Sequence, residues 1–357
     1  MPPRRRSRSH PEAGLRSILD DLRTRILSGS LPAGGRLPAV RELATVYGVA
    51  ANTIQRSLQE LAGAGFIVAE GRNCTRVVDF PPHRHCYGLV LPTLPAADGS
   101  YTVGHWQAKA VAAQAVGATP SRRIEVFHGI SGHPELPEHR RLLAALAEHR
   151  LAGLILPDEQ RIRDWLTPRS LELPVVGVDP QPSRPAIGQL RLDLVQFLEQ
   201  ALATVADHGR RRPAVLLNHQ GIYCLPGLAQ AARQAGLALP PQRIQSLSIE
   251  APSWAAHVLA GLFAVDPGAA PDALIVTDEA VIPAVESALV DLGRGDLLQV
   301  QLTNLPLPPV GRLPALRLGW DHRDYLARAM ELIDGWHQRR EPIGDRTLLL
   351  TAVISGP

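Results

Sequence analysis

Residues 34 to 78, GGRLPAVRELATVYGVAANTIQRSLQELAGAGFIVAEGRNCTRVV, admit few folds, because two short helical periodicities meet at one glycine turn and lead into two short β runs. In the first, Val40, Leu43, Ala44 and Tyr47 recur at i, i+3, i+4 and i+7, so one face is apolar; Pro38 suits its first turn and Gly48 its end. Gly48 and Val49 make the turn. The second helix turns Ile54, Leu58 and Leu61 inward and carries Asn52, Gln55, Arg56 and Gln59 along one flank at the same spacing. Phe66 to Ala69 and Thr75 to Val78 bracket Gly71, Arg72 and Asn73 in a hairpin pattern.

The polar flank consists of donors and acceptors. An amide side chain can bond an adenine edge in two places and a guanidinium can do the same to guanine, so the flank is suited to the major groove of double-stranded DNA. Arg36 and Arg41 are expected near phosphates, and Arg72 at the hairpin tip in or beside a minor groove.

With these residues in place the stretch resembles the winged helix-turn-helix of the gluconate-repressor (GntR) family of bacterial regulators. Arg36, Leu37, Pro38, Arg41, Glu42, Leu43, Ala44, Gly48, Val49, Thr53, Leu61, Gly65, Ile67, Gly71, Thr75 and Val77 match its pattern in order and spacing. An upstream helix with Leu15, Ile18, Leu19, Leu22 and Ile26 fits it as well. The resemblance implies a DNA contact set of Arg36, Arg41, Ala51, Asn52, Thr53, Gln55, Arg56, Gln59, Gly71, Arg72 and Thr75. Departures are Ala50 where the recognition helix usually has a hydroxyl cap, Ala51 and Gln55 where arginines are frequent, and Cys74 at the second wing glycine. A missing side-chain cap costs a helix about 0.5–2 kcal/mol, so an altered sequence preference is expected rather than loss of the fold.

Charge is distributed unevenly. Residues 1 to 85 hold thirteen arginines and no lysine against seven acidic residues, whereas the whole chain of 357 residues is only +3, so the longer remainder is net acidic. This is the asymmetry expected when a small module holds phosphates. Residues 1–12 read as a disordered basic arm without the apolar core of a secretory signal, and no apolar run reaches the roughly 18 residues of a membrane span. Cys74, Cys86 and Cys224 are too few and too scattered for a disulfide framework or a zinc site, so neither metal nor cofactor is expected and a reducing cytoplasm fits.

Beyond Asp79 the stretch DFPPHRH breaks both periodicities, and 80–85 reads as a linker between a 13–79 module and an 86–357 body. There short apolar runs at Tyr87–Leu91, Ile124–Phe127, Gly153–Leu156 and Val175–Val178 alternate with helical patterns, and the rhythm restarts with a long helix near Asp193–Asp207. The expected fold class is α/β: a winged helix-turn-helix followed by a two-lobed body of two doubly wound parallel sheets. In such sheets ligands bind outside the carboxyl ends of the strands, so a cleft between facing lobes is the expected ligand site.

This body resembles the effector-binding region of the lactose and galactose repressor (LacI/GalR) family, which is similar to periplasmic sugar-binding proteins. The likeness rests on Asp193 with the His208-Gly209-Arg210-Arg211 run, on PDALIVTDEAVIPAVESALVDLG at 271 to 293, and on LPALRLGWDHRDYLARAMELIDGW from 313. It implies three crossings between lobes, expected near Gly188, Leu298 and Trp320. Lobe 1 would then hold about 86–188 and 299–320, and lobe 2 about 189–298 and 321–357.

The resemblance also implies a small-molecule effector in the cleft. Asp278 occupies the family's ligand-facing aspartate, although capping of the helix that begins at Glu279 reads equally well. Cys224 stands where an arginine often clamps the ligand, and Asn304 where a late aspartate is usual. Tyr101 and Tyr223, on loops after strands, are candidate ring platforms, and Asp158 and Asp179, each after an apolar run, are polar candidates. The resemblance implies a repressor, and reading a palindromic operator requires a homodimer. An aminotransferase-like enzyme would need a Schiff-base lysine, and the one lysine of the chain, Lys109, falls inside a predicted helix; no G-x-S-x-G elbow occurs either.

Overall fold

The computed structural model describes residues 11–71, 74–97, 104–130, 133, 135–157, 173–177, 187–217, 225–265, 268–339, 347–350 and 353–355. The front module comprises α1 (Pro11–Leu27), α2 (Val40–Tyr47), α3 (Ala51–Gly63) and the antiparallel ribbon β1 (Ile67–Glu70) and β2 (Cys74–Val77), with Ile67 opposite Val77 and Glu70 opposite Cys74. Its core is the set of periodic apolar residues: Leu15, Ile18, Leu19, Leu22 and Ile26 of α1 meet Leu43, Ile54, Leu58 and Leu61, with Phe66 beneath the ribbon. Each such fully buried side chain stabilises the module by roughly 1.5–3 kcal/mol. Gly48 ends α2 at φ 65°, a left-handed conformation that explains a glycine there. Glu42 reaches back to accept the Ala39 N–H at 3.0 Å, while α3 starts at Ala50 with no side-chain cap.

The segment expected to be an irregular linker is partly ordered into one helical turn, α4 (Pro82–His85), opened by a proline whose missing N–H costs a helix start nothing. It is docked rather than solvated. His83 stacks on Phe66 with ring centroids 6.0 Å apart, and His85 Nδ1 lies 2.9 Å from the Ser121 carbonyl of the following lobe. Burial pushes the His83 imidazole down to about 4, so it stays neutral.

The body holds β3 (Cys86–Val90), α5 (Gly104–Val116), β4 (Arg123–Phe127), α6 (Pro137–Ala147), β5 (Gly153–Leu156), β6 (Val175–Gly177), β7 (Ile187–Leu192), α7 (Leu194–Asp207), β8 (Pro213–Leu217), α8 (Leu225–Gln234), β9 (Ile244–Ser246) and α9 (Ala255–Phe263). It continues through β10 (Ala273–Val276), α10 (Ile282–Asp291), β11 (Leu298–Leu305), β12 (Leu316–Asp321), α11 (His322–Arg339), β13 (Thr347–Leu350) and β14 (Val353–Ser355). The first sheet runs β4-β3-β5-β6-β7-β13, parallel throughout. The second runs β9-β8-β10-β11-β12-β14 and is parallel except at its β14 edge. In both, the first strand lies between the second and the third, which sets a switch point and a ligand crevice at the carboxyl ends.

The sheet pairings correct the expected lobe division. β11 and β12, expected in lobe 1 as 299–320, pair in the second sheet; α11, expected in lobe 2, packs on α5, β5 and β6 of the first lobe, and β13 closes the first sheet. The chain therefore crosses at Asp193 rather than Gly188, does not cross near Leu298, crosses back after Asp321, and crosses again between β13 and β14. The physical reason is that a strand–helix rhythm reads alike whichever sheet accepts the strand. The run β7, IGQLRL, is in addition too polar to announce itself as the last strand before the first crossing.

Candidate functional site

Two regions carry chemistry. On the front module, Asn52, Gln55, Arg56 and Gln59 of α3 are all exposed, while Ile54, Ser57, Leu58 and Leu61 on the opposite side are buried. Ala51, Arg36, Arg41 and Gly71 are also exposed, and Thr53 and Thr75 are half-buried. The Leu37 N–H donates to the Thr75 carbonyl at 2.8 Å and ties the ribbon to the segment before α2. Arg76 is held by Glu70 and, at 2.9 Å, by Asp79, which uses its charge within the ribbon. Arg72, expected at the wing tip, lies outside the described residues.

The second region lies where the carboxyl ends of both sheets meet. Gly104 opens α5 so close to the other lobe that a Cβ there would stand 2.7 Å from Glu279 Oε2. Glu279 follows β10 in a short 3-10 turn, Glu279–Val281, and is buried. Its Oε1 accepts the Asn304 backbone N–H at 2.7 Å and its Oε2 accepts Asn304 Nδ2 at 2.8 Å. Burial raises the Glu279 carboxyl above its ordinary value, and the two Asn304 hydrogen bonds act against that rise.

Asn304 Oδ1 lies 2.9 Å from His322 Nε2 at the start of α11. An amide oxygen only accepts, so Nε2 must carry the proton and donate. Burial holds this imidazole far below its ordinary value, which leaves it neutral, and its Nδ1 has no hydrogen-bond partner among the described residues. One turn along, the Tyr325 ring receives the Lys109 ammonium, Nζ standing 4.8 Å from the ring centroid. Lys109 is 2% exposed, and burial pushes its amine down to about 7. His105, one turn earlier on α5, packs on Trp106 and is likewise held well below its ordinary value, by burial and then by the Lys109 charge.

Of the expected ligand residues, the structure sets Asn304 at the centre of this junction. Asp278 accepts the Ala280 N–H at 3.0 Å, the capping geometry, and the carboxylate that enters the junction is its neighbour Glu279. Tyr101, Asp158, Asp179, Tyr223 and Cys224 lie outside the described residues. Glu279, His322 and Lys109 were not among the expected ligand residues. A sole lysine inside an alanine-rich helix was the available signal for one of them; nothing in DHRDY distinguishes the histidine that turns inward. Trp320 is core, packed on Phe197. Among the described residues no group of three or more His, Cys, Asp or Glu side chains could hold a metal ion, and no helix is long and apolar enough to cross a membrane.

Residues 15–77 match the family described as "Bacterial regulatory proteins, gntR family". The chain is 44% identical over 69 residues to the HTH-type transcriptional regulator Rv1152 of Mycobacterium tuberculosis, an alignment covering 18% of this chain and 57% of that relative. The chain thus spans little more than half of that relative's length. The fold is similar to the transcriptional regulator CelR in complex with cellobiose, with a TM-score of 0.57 and 16% identity over 90% of this chain and 99% of that one. It is similar also to a regulatory protein of the LacI family from Chloroflexus aggregans, with a TM-score of 0.56 and 15% identity over 75% of this chain and 96% of the other.

Proposed function

From a gntR-type DNA-binding domain carried on a two-lobed body with the LacI-type fold, we propose that this chain is a cytoplasmic transcriptional repressor. It acts as a homodimer on a palindromic operator, and a small polar, sugar-like effector held between the lobes sets its grip on duplex DNA. No catalytic step is part of this reading. The observation that carries it is the exposed stripe Asn52, Gln55, Arg56 and Gln59 on a helix whose other side is buried. A hydrogen-bonding stripe on a rigid helix is what direct base readout requires. The exposed Arg36 and Arg41 beside it supply phosphate contacts that fix register.

The polar junction supports the effector half of the proposal. Glu279 and Asn304 of one lobe approach Gly104 of the other at the switch points of both sheets, and the similarly folded CelR was solved with cellobiose. An effector that favours one lobe arrangement alters DNA affinity only by its differential binding, typically about 1–3 kcal/mol, and DNA alters effector affinity by the same factor. α4 is the mechanical link, since His85 holds the lobe through Ser121 while His83 stacks on Phe66 in the module. Fluorescence anisotropy of the intact protein on a selected palindrome and on random duplex tests the reading. A clear preference for the palindrome is expected, and equal affinity for both overturns it.

A further inference from the structure

Lys109 is the only lysine in the chain, and it is buried where the lobes meet. An ammonium group carries three N–H donors and a full charge, and taking it out of water is costly unless a counter-ion and acceptors replace the solvent. Among the described residues the ammonium stands over the face of the Tyr325 ring and has no salt bridge. Among the described residues the ionisable groups around it are His105 from α5 itself, His322 and Tyr325 from α11 and, at the far end of the network, Glu279 of the second lobe, already bonded twice to Asn304. β4, which also packs on α5, directs Glu125 to Arg141 and Arg150 and Arg123 to the crevice beside the front module. Among the described residues, therefore, no carboxylate stands against this buried amine to neutralise its charged form.

We infer that the effector carries an acid group, a carboxylate or a phosphate, which docks on the Lys109 ammonium, while its polar remainder meets Asn304 and Glu279. This rests on the effector-cleft reading and narrows its chemistry. The flanking His105 and His322 are neutral and add hydrogen-bonding capacity without charge, so Lys109 is the cation that meets the acid group. Docking the acid returns the amine to its charged form. Above about pH 7 binding must therefore take up a proton, and affinity falls as pH rises through that value.

Because the chain has a single lysine, protein labelled with 15N-lysine gives one side-chain amine signal. Its titration is followed in the intact chain alone and with acetate, D-gluconate, inorganic phosphate, D-glucose 6-phosphate or D-glucose. The expected result is an upward move of the midpoint by at least about one pH unit with the carboxylates or with the phosphates, and none with D-glucose; which pair acts identifies the acid group. Dissociation constants of the active probe should weaken about tenfold between pH 6 and 8.5. In Lys109→Arg, which cannot lose its charge in this range, that pH dependence should vanish, and in Lys109→Met binding should be lost.

A midpoint that no acid probe moves overturns the inference, as does acid binding that survives in Lys109→Met. If D-glucose raises the melting temperature while the amine signal stays unmoved, the effector cleft stands and the acid group falls. Operator binding, measured on the same preparation, judges the regulator reading separately.

Discussion

Asn304 donates both its backbone N–H and its side-chain amide to the two carboxylate oxygens of Glu279, at 2.7 and 2.8 Å, and both side chains are buried. An aspartate at 304, the residue usual in the resembled family, would set two carboxylates together there. Asn304→Asp is expected to force one of the pair to keep its proton, with a folded-state pKa well above the unfolded value of about 4. An acid with a raised folded pKa contributes stability at low pH that is lost as pH climbs toward that value. Thermal unfolding should therefore show the variant close to wild type at pH 4 and weaker at pH 8 by about 2–4 kcal/mol. Equal stability at both values would contradict the bonding described.

Gly104 allows the lobes their close approach. A Cβ at this position would fall 2.7 Å from Glu279 Oε2, and that oxygen is pinned by Asn304. Gly104→Ala should push the lobes apart and cost about 1–3 kcal/mol, the usual range for overpacking. Small-angle scattering is expected to report a larger radius of gyration than wild type, together with a lower melting temperature.

The Lys109 amine stands at about 7 in the folded chain and near 10.5 when unfolded. Between these values the unfolded chain binds more protons, so stability should rise with pH from about 7 to about 10. Below pH 7 both states are charged and the folded one bears the full burial penalty. Lys109→Met should remove the slope and stabilise the protein most at pH 6, by about 1–4 kcal/mol. Calorimetric scans of both proteins across this range measure the difference.

On the front module, charge and readout separate. Arg41→Ala should weaken binding to every duplex and lower the salt slope by about one. Gln55→Ala, which removes one amide from the exposed stripe, should cost about 1–3 kcal/mol on the preferred site only and relax selection at one base pair. Salt titrations and site selection on both variants distinguish the two effects.

The front module was legible almost residue by residue, because its periodicities are short, unbroken and matched to a single small core: Leu22, Leu43, Ile54 and Leu61 are all buried where their spacing put them. In the body, element types were legible and partners were not. Tyr87–Leu91 and Gly153–Leu156 read as buried strands from apolar runs alone, but β11, LQVQLTNL, buries Gln299, Gln301 and Asn304, whose polarity masks it. The junction was harder still. Glu279, His322 and Lys109 look like surface residues in one dimension, and only the packing of α5, α11 and β11 makes them interior.

The crossing pattern bears on how the protein can be made and cut. The edge strand β13 of the first sheet lies at Thr347–Leu350, and the helix that covers this lobe, α11, lies just before it, so neither lobe is a contiguous stretch of chain. During synthesis the first lobe stays unfinished until β13 has emerged from the ribosome, after the second lobe's parallel strands are already available. Fragments trimmed at Asp193 or Asp321 would each lack part of a sheet, so the body has to be expressed whole, whereas the front module has a core of its own.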